Sequence, residues 1–331
     1  MRTDFWRDDS FLNRLHSFLK EKGALTVQRI VPIKKNVYEV FDGNQWWIVK
    51  CYHRKMSRLW SLFSYLDDES NFIISYPFPN GKRWIEDQKQ QIWCMYPYVE
   101  GESLSYKNDK DRKSAIHLLQ DFHHESKGIV IHQTKPISYL TKLEERQKRF
   151  SRTKNIFFQH NALFLYQNIM KYTEELWTPI KKLKWTELEK RAKRKKYIIH
   201  GDSASHNFIK NNTGVFLIDF DLIQNAPYEY EWIQLAQRFL YDGVDDWDEL
   251  LSYPVFQFYV QNPYFYYGLK FPSDLFREWL HFLKRNPSNQ EISQYIKKFK
   301  RHWHKRQKFY DKTPNYDKIS NNNPKRGERF R

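Results

Sequence analysis

The sequence predicts an α+β protein in which a small antiparallel-sheet amino-terminal lobe precedes a mainly helical carboxyl-terminal lobe. Between residues 26 and 95, short runs of β-branched and aromatic residues alternate with turn signals. Beyond residue 101, apolar residues recur at helical spacing. The 331 residues include 12 Trp, 22 Tyr and 25 Phe, and this apolar content predicts a sizeable core and excludes a disordered chain.

The amino-terminal lobe is predicted over residues 1–95. Asp42-Gly43-Asn44 is a hairpin turn signal between two of its strands. The predicted strands are 26–31, 36–41, 45–50, 84–85 and 91–95, and a helix is predicted over 57–66. Residues 96–101 interrupt the strand pattern and are the predicted hinge between the two lobes.

The carboxyl-terminal lobe is predicted over residues 102–312. Gly128 suits the position just past a helix end, and Ser273 suits a helix cap. The predicted helices are 111–128, 137–150, 162–176, the lysine-rich stretch before Tyr197, a helix from Ser273 and a last helix through Trp303, and the predicted short strands are 197–199, 208–210 and 215–218. Residues 313–331 are predicted to form a basic, flexible tail.

The chain carries 56 basic and 39 acidic residues, a formal net charge of +17. This excess lies in two segments, with a net of +7 over 181–196 and +10 over 296–331, so the remaining residues are formally neutral. The helical spacing of lysines in the first segment is typical of a solvated helix face. Nucleic-acid binding is the alternative, but no nucleic-acid recognition motif accompanies the basic residues, so it is disfavoured.

The first residues contain acids instead of the apolar stretch of a secretory signal, and no run approaches the roughly 20 apolar residues of a membrane span. Cys51 and Cys94 are too few for a disulfide framework and are predicted to be small buried side chains. We therefore expect a soluble, cytoplasmic protein without a transmembrane segment.

The most informative residues surround two short predicted strands. The first strand leads His200 and Asp202 into a loop that ends at Asn207, and the second strand ends at Asp219. Because the two strands form a hairpin, Asp202, Asn207 and Asp219 are expected at one end of it. Oxygen atoms of Asn and Asp suit Mg²⁺, and a further carboxylate can receive the proton of an attacking hydroxyl. Alone, His-Gly-Asp is also compatible with an ordinary strand-to-loop turn.

The whole pattern, H-G-D-x-x-x-x-N followed by I-D-F-D, resembles the Brenner-type motif of the aminoglycoside phosphotransferase and choline kinase family. That resemblance implies a two-lobed protein-kinase-like fold that uses ATP and Mg²⁺ to phosphorylate a hydroxyl acceptor. It implies that Asp202 is the catalytic base or substrate-orienting group and that His200 braces the catalytic loop. It further implies Asn207 and Asp219 as Mg²⁺ ligands, with Asp221 adding a metal or neighbouring contact.

The resemblance extends to the amino-terminal lobe. Lys50 ends a predicted strand at the place of the family's phosphate-binding lysine, although a solvated strand-end lysine is the alternative. Met95-Tyr96-Pro97-Tyr98 matches the family hinge, which implies that main-chain groups of Tyr96 and Tyr98 contact adenine. Pro97 has no N–H to donate there.

Two other segments are interpreted as packing. His123, in a predicted helix end that resembles the family's, is expected to be a packed, hydrogen-bonded residue. The aromatic run Tyr264–Tyr267 is interpreted as core, with the wall of an acceptor pocket as the alternative.

The chain departs from the family pattern in three places. Residues 33–38, where a phosphate-covering loop usually has glycine, contain none. The predicted helix after Lys50 has no acid to pair with that lysine, and the acids that follow it begin at Asp67 and include Asp68 and Glu69. Gln234 stands where the family has an aspartate, so it can hydrogen-bond the catalytic loop but brings no charge.

Chain length, the low-glycine amino-terminal lobe, the Tyr98–Glu102 segment and the aromatic carboxyl-terminal helices resemble the spore-coat-associated branch of this family. Two hypotheses follow. One is an active phosphotransferase acting on a small molecule or a coat component. The other is a catalytically weak or inactive kinase-fold protein of spore coat assembly, located in the coat and docking on coat proteins or an anionic surface.

Overall fold

The computed structural model describes residues 9–53, 57–66, 70–131 and 138–321. These residues divide into two compact units. The first unit contains the described residues of Met1–Ser103, Ile129–Gln133 and His206–Ile223, and the second contains those of Leu104–Gly128, Thr134–Ser205 and Gln224–Arg331. The chain first passes from one unit to the other at Ser103–Leu104, just beyond the predicted hinge at 96–101.

Strands and helices follow one another as the α+β prediction requires. The strands are β1 (Arg29–Lys34), β2 (Val37–Phe41), β3 (Trp46–Tyr52), β4 (Ile85–Glu86), β5 (Ile92–Pro97), β6 (Glu102–Ser103), β7 (Ile198–Ile199), β8 (Phe208–Lys210), β9 (Val215–Leu217) and β10 (Gln224–Asn225). The helices are α1 (Asp9–Gly23), α2 (Ser57–Phe63), α3 (Asp109–Glu125), α4 (Tyr139–Ser151), α5 (Lys154–Gln159), α6 (Leu163–Lys182), α7 (Trp185–Arg194), α8 (Tyr228–Asp242), α9 (Trp247–Leu251), α10 (Pro254–Tyr259), α11 (Pro263–Lys270), α12 (Ser273–Leu283), α13 (Asn289–Lys312) and α14 (Tyr316–Asn321).

The first unit is built on an antiparallel sheet with the strand order β1-β2-β3-β5-β4. Helix α1 packs on it, and Leu15 and Leu19 of α1 share an apolar core with Val40 of β2 and Val49 of β3. Helix α1 has no counterpart among the predicted elements, although its apolar residues recur at helical spacing. The sequence allows one or two helices among the strands of residues 1–95, and α1 is the helix whose position it did not predict.

The turn between β1 and β2 shows how the chain manages without glycine there. Asn36 adopts a φ of +63°, in the left-handed region that glycine usually occupies and that asparagine tolerates better than most residues. Its carbonyl oxygen accepts a hydrogen bond from the Cys51 amide at 2.9 Å. An asparagine thus provides the turn that the sequence prediction associated with glycine. Cys51 and Cys94 are both buried and unbridged, as predicted.

A smaller antiparallel sheet of the first unit has the order β6-β8-β9, and two residues of the sequence motif lie next to its strands. Asn207 lies directly before β8, and Asp219 follows β9. Gly101 precedes β6 with a φ of +156°, and a Cβ atom there would lie 2.4 Å from the Lys210 carbonyl oxygen. The close approach of backbone at this point therefore requires glycine.

The second unit is mainly helical and has α8 at its centre. Trp232, Ile233, Leu235 and Phe239 of this helix are buried. Helix α11 packs against it so closely that a Cβ atom on Gly268 would lie 2.5 Å from Ile233 Cδ1. The two short strands β7 and β10 pair with each other, and β7 leads directly into the loop that contains His200 and Asp202.

The packing interpretations of two segments are confirmed in the second unit. His123 is buried, stacks on Tyr228 with ring centroids 4.0 Å apart, and has Nε2 2.9 Å from Glu231 Oε2. Phe265 and Tyr266 of the aromatic run are buried in the core, whereas Tyr264 and Tyr267 are half-buried.

The end of the chain differs from the predicted loose tail from Thr313. Thr313 is buried, and α14 follows it. The Tyr316 hydroxyl donates to the Gln261 carbonyl oxygen at 2.8 Å, which ties this helix to the unit. Residues 322–331 lie outside the described range. Among the described residues, no helix combines the length and apolarity needed to cross a bilayer.

We expect Gly101→Ala to destabilise the protein by about 2–3 kcal/mol, because the new methyl group must displace backbone of β8. Gly81→Ala is the matched control, since Gly81 also has a positive φ (+81°) but its Cβ would meet nothing within 4 Å. That control should lose only about 1 kcal/mol. Urea unfolding followed by tryptophan fluorescence measures both, and equal losses would contradict the steric explanation.

Candidate active site

In the first unit, Asp219 has an unusual backbone conformation. Its φ and ψ are both 65°, in the left-handed region, which costs a non-glycine residue on the order of 1–2 kcal/mol. The conformation lies between β9 and the 3₁₀ turn Phe220–Leu222. Strain of this kind persists where surrounding contacts fix the residue, and it is common at functional sites.

Lys50, in β3, makes the principal contact with this carboxylate. Its Nζ lies 2.8 Å from Asp219 Oδ1 and 3.8 Å from Asp221 Oδ1, and its side chain is 12% exposed. The ammonium also lies 5.6 Å from the centre of the Tyr96 ring. Lys50 is therefore a partly buried, paired cation and not a solvated strand-end lysine.

The two carboxylates respond to this environment in opposite directions. Burial alone would raise the pKa of Asp219, but the Lys50 ammonium lowers it to about 2. Burial raises the pKa of Asp221, and the charge of Asp219 adds to that effect against the opposing charge of Lys50. The Tyr52 hydroxyl donates to Asp221 Oδ1 at 3.0 Å. Asp219 is thus the firmly ionised member of the pair.

Asn207 lies close to these residues along the hairpin. It is 2% exposed, and its carbonyl oxygen accepts a hydrogen bond from the amide of Ile218, the residue before Asp219. Asn207, Asp219 and Asp221 together offer one amide oxygen and two carboxylates, a donor set that fits a hard cation such as Mg²⁺ or Ca²⁺. Within the described ranges, no three His, Cys, Asp or Glu side chains form a metal cluster, so water or phosphate oxygens would complete the coordination of such an ion.

Lys34 is a further cation at this site that the sequence analysis missed. Its Nζ lies 3.6 Å from Asp219 Oδ2, and its side chain is 63% exposed. It stands at the end of β1, before the turn that contains Asn36. Nothing in the local sequence distinguishes it from a surface lysine.

The predicted adenine-contacting residues lie at the end of β5. Tyr96 is buried in this strand, opposite Ile48 of β3, and its hydroxyl lies 2.8 Å from that of Tyr52. Tyr98 follows the strand and is exposed.

The acid predicted to orient Lys50 is not found on α2, which contains none. Asp67, Asp68 and Glu69, the alternative candidates, lie outside the described residues. In the part of the chain that the structure describes, the carboxylates that pair with Lys50 are those of Asp219 and Asp221.

The second unit holds the loop with His200 and Asp202. His200 is fully buried, and its Nδ1 lies 3.1 Å from the Asp202 carbonyl oxygen. Gly201 between them has a φ of +83°, which favours glycine. The buried His200 ring therefore contacts the loop backbone and can stabilise the conformation of the loop.

A buried carboxylate fixes this loop. Glu231 of α8 is 1% exposed and accepts hydrogen bonds from the amides of His200, at 2.9 Å, and Gly201, at 2.8 Å. Burial alone would raise the pKa of Glu231, but the hydrogen bond and charge of His123 lower it. The sequence analysis missed Glu231. The available signal was its position one helical turn before Gln234.

Gln234 supports the next residue of the loop. Its Oε1 accepts hydrogen bonds from both the amide and the hydroxyl of Ser203, at 2.7 and 2.9 Å, and its Nε2 donates to the Gly201 carbonyl oxygen at 3.3 Å. An aspartate could not make this last donation. The glutamine therefore holds the loop by hydrogen bonds without a charge, and the charged residue of α8 that contacts the loop backbone is Glu231.

Asp202 itself remains accessible. Its side chain is 29% exposed, and Arg238 Nη2 lies 2.8 Å from its Oδ1. Arg238, also of α8, was not identified from the sequence. The contact orients the carboxylate while leaving part of it open to solvent.

We expect Lys50→Met to reduce the free energy of unfolding by about 1–3 kcal/mol between pH 5 and 7, because it leaves the partly buried Asp219 carboxylate without its principal cation. The folded pKa of Asp219 lies below its ordinary value of 3.8, so its contribution is present above pH 3.8 and is lost as the pH falls towards 2. The difference from the parent should therefore shrink between pH 5 and pH 3. Urea unfolding at several pH values measures it.

Lys34→Met is the matched control for that experiment, because Lys34 is mostly exposed and lies farther from Asp219. It should change the stability by less than about 1 kcal/mol. Equal losses for both variants, or a Lys50→Met loss independent of pH, would contradict this account of the pair.

Comparison with known proteins relates the fold to solved phosphotransferases, although no protein-family model and no curated protein sequence matches the chain. An aminoglycoside phosphotransferase from Alicyclobacillus acidocaldarius aligns with a TM-score of 0.67 and 14% identity over 90% of this chain and 93% of that one. Amicoumacin kinase hAmiN, in complex with AMP-PNP, Ca²⁺ and Ami, aligns with a TM-score of 0.56 and 14% identity over 94% and 97%.

Spectinomycin phosphotransferase APH(9)-Ia, in complex with ADP and spectinomycin, is a further match, with a TM-score of 0.51 and 16% identity over 86% of this chain and 93% of that one. At these identities the alignments establish the fold. The chain has the two-lobed, protein-kinase-like α+β fold that these phosphotransferases share, as the sequence predicted.

Proposed function

We propose that this protein is an ATP- and divalent-metal-dependent phosphotransferase that phosphorylates a hydroxyl group of a small-molecule acceptor. The observation that carries the proposal is the 2.8 Å contact between Lys50 and the strained Asp219. It holds a cation suited to phosphate beside a carboxylate suited to a metal, on a fold shared with phosphotransferases.

Each residue of the first unit has a proposed task. The Lys50 ammonium would contact phosphate oxygens of the nucleotide, and main-chain groups of Tyr96 and Tyr98 would contact the base. Asn207 and Asp219 would hold Mg²⁺, with Asp221 as an additional or neighbouring ligand. When bound, the metal neutralises charge on the phosphate oxygens. Solved proteins of this fold contain ADP, AMP-PNP or GDP, and one contains Ca²⁺, which supports testing both purine nucleotides.

In the proposed reaction, the acceptor oxygen forms a bond to the γ-phosphorus as the bond from that phosphorus to the bridging oxygen breaks. The acceptor proton passes to the Asp202 carboxylate, and ADP leaves. Arg238 orients that carboxylate at 2.8 Å. His200 is buried beneath the loop and acts as a positioning residue.

We expect the parent protein to bind Mg-ATP in a calorimetric titration, and Asp219→Asn to weaken that binding at least tenfold because it removes a metal-binding charge. Asp202→Asn should bind Mg-ATP normally but turn over ATP at least 100-fold more slowly, since it removes the proton acceptor. Asp121→Asn, at an exposed position of α3, is the control and should change neither quantity. Mg-GTP is titrated in parallel.

The same measurements separate the catalytic proposal from an inactive kinase-fold protein. If Mg-ATP binds but the parent protein does not turn it over, or if Asp202→Asn leaves a residual turnover unchanged, the chain is a nucleotide-binding scaffold without transfer activity. If neither purine nucleotide binds, the proposal itself is wrong. The absence of an acid on α2 is the observation that favours the inactive alternative.

A role at the spore coat is a separate proposal that rests only on the sequence resemblance. The exposed cations of 181–196 and of α13 are compatible with docking on an anionic layer. A fluorescent fusion followed through sporulation should concentrate at the forespore surface, and a uniform cytoplasmic signal at every stage would count against it.

A further inference from the structure

A groove of about 440 Å³ lies in the first unit, beside β4, the last strand in the order of the five-stranded sheet. It is lined by Lys22, near the end of α1, and by the five consecutive residues 82–86. Among the described strands, β4 pairs with β5 alone, so its other edge has no strand partner. A groove that follows five consecutive residues matches an extended peptide of about the same length, at roughly 3.3 Å for each residue.

Three cations line this groove, namely Lys22, Lys82 and Arg83. Both lysines are exposed, Arg83 is half-buried, and no carboxylate of the described residues pairs with any of the three. Arg83 Nη1 donates to the Ser75 carbonyl oxygen at 3.4 Å, and its Nε and Nη2 have no partner in the described part of the chain. A guanidinium with unused donors suits a carboxylate, because the two oxygens match the planar donors.

Asn80 joins the two backbone segments that carry the lysines. Its Nδ2 donates to the Lys22 carbonyl oxygen at 2.6 Å, and its Oδ1 accepts a hydrogen bond from the Lys82 amide at 3.1 Å. The Phe78 amide also donates to the Lys82 carbonyl oxygen, at 2.8 Å, and closes the turn. The two lysines are therefore held near the groove before a ligand arrives, which lowers the cost of ordering them on binding.

Trp84 adds an apolar surface to the groove. Its side chain is 42% exposed and stacks on Trp60 of α2, with ring centroids 4.7 Å apart. An exposed aromatic ring that is held in place is a common anchor for a side chain of a partner. The exposed Glu86 follows Trp84 in the lining, so the charge along residues 82–86 changes from positive to negative.

We infer that this groove binds an extended acidic segment of a partner protein, with carboxylates at the three cations and an apolar side chain against Trp84. The unpaired edge of β4 offers backbone groups for strand addition by that segment. A single-stranded nucleic acid also combines anions with stacking rings, but its uniform phosphate charge would be repelled at Glu86. A peptide can carry its acids at one end, so it fits the change of charge. The inference is independent of phosphotransfer.

Selection from a library of random peptides of about eight residues, displayed on phage and captured on the full chain, tests the inference. We expect the enriched sequences to carry acids at one end, next to an aromatic or aliphatic residue. The most enriched peptide is then synthesised and titrated against the full chain by calorimetry. Its counterpart with Asn and Gln in place of Asp and Glu should bind at least about tenfold more weakly, because it loses the charge-assisted contacts.

Two double variants with the same change in net charge separate the groove from general attraction. Lys22→Gln/Lys82→Gln removes two cations of the lining, whereas Lys20→Gln/Lys89→Gln removes two exposed cations that do not line the groove. The first should weaken the peptide at least about tenfold and the second less than about threefold, since only direct contacts are lost in the first. Arg83→Gln should also weaken it at least about tenfold.

The inference is overturned if selection enriches no acidic sequences or if the two double variants weaken the peptide equally. It is also overturned if an oligouridine binds as tightly as the peptide and depends in the same way on Lys22 and Lys82. That last result would assign the groove to nucleic acid.

Discussion

The conformation of the loop in the second unit depends on hydrogen bonds to the buried carboxylate of Glu231. This carboxylate satisfies the amides of His200 and Gly201 and the ring of His123 at once. A buried charge is tolerated only when it is fully hydrogen-bonded, and removing one partner of such a network costs several kcal/mol. These two hydrogen bonds hold the backbone of His200 and Gly201 in place. Because Asp202 is the next residue, they also help to set the direction of its side chain.

The same face of α8 continues this arrangement. Glu231, Gln234, Arg238 and Asp242 are spaced by three or four residues, so they lie along one stripe of the helix. The first three accept hydrogen bonds from the loop backbone, bind Ser203 and contact Asp202, and Asp242 follows them one turn later. One helix thus carries every side chain in this series, so their spacing along the chain fixes their order along the loop.

Sequence analysis predicted those candidate residues that follow local patterns. The strand-to-loop motif indicated Asp202, Asn207 and Asp219, and the family resemblance added Lys50. Glu231 and Arg238 escaped it because their importance comes from burial and from contacts some 30 residues away in the chain. Neither property can be recognised in one helix without knowing which face packs inwards.

The net charge of the chain also does not indicate where the candidate site lies. The nine cations between 181 and 196 are all exposed, and they account for a large part of the formal +17 without contacting the site residues. In contrast, Lys50 lies 2.8 Å from the carboxylate of Asp219, and Arg238 lies 2.8 Å from the carboxylate of Asp202. Such pairing lowers the cost of keeping charges in a partly buried position before any ligand arrives. What the site can bind is therefore set by which individual donors and acceptors remain unpaired, a property that composition does not contain.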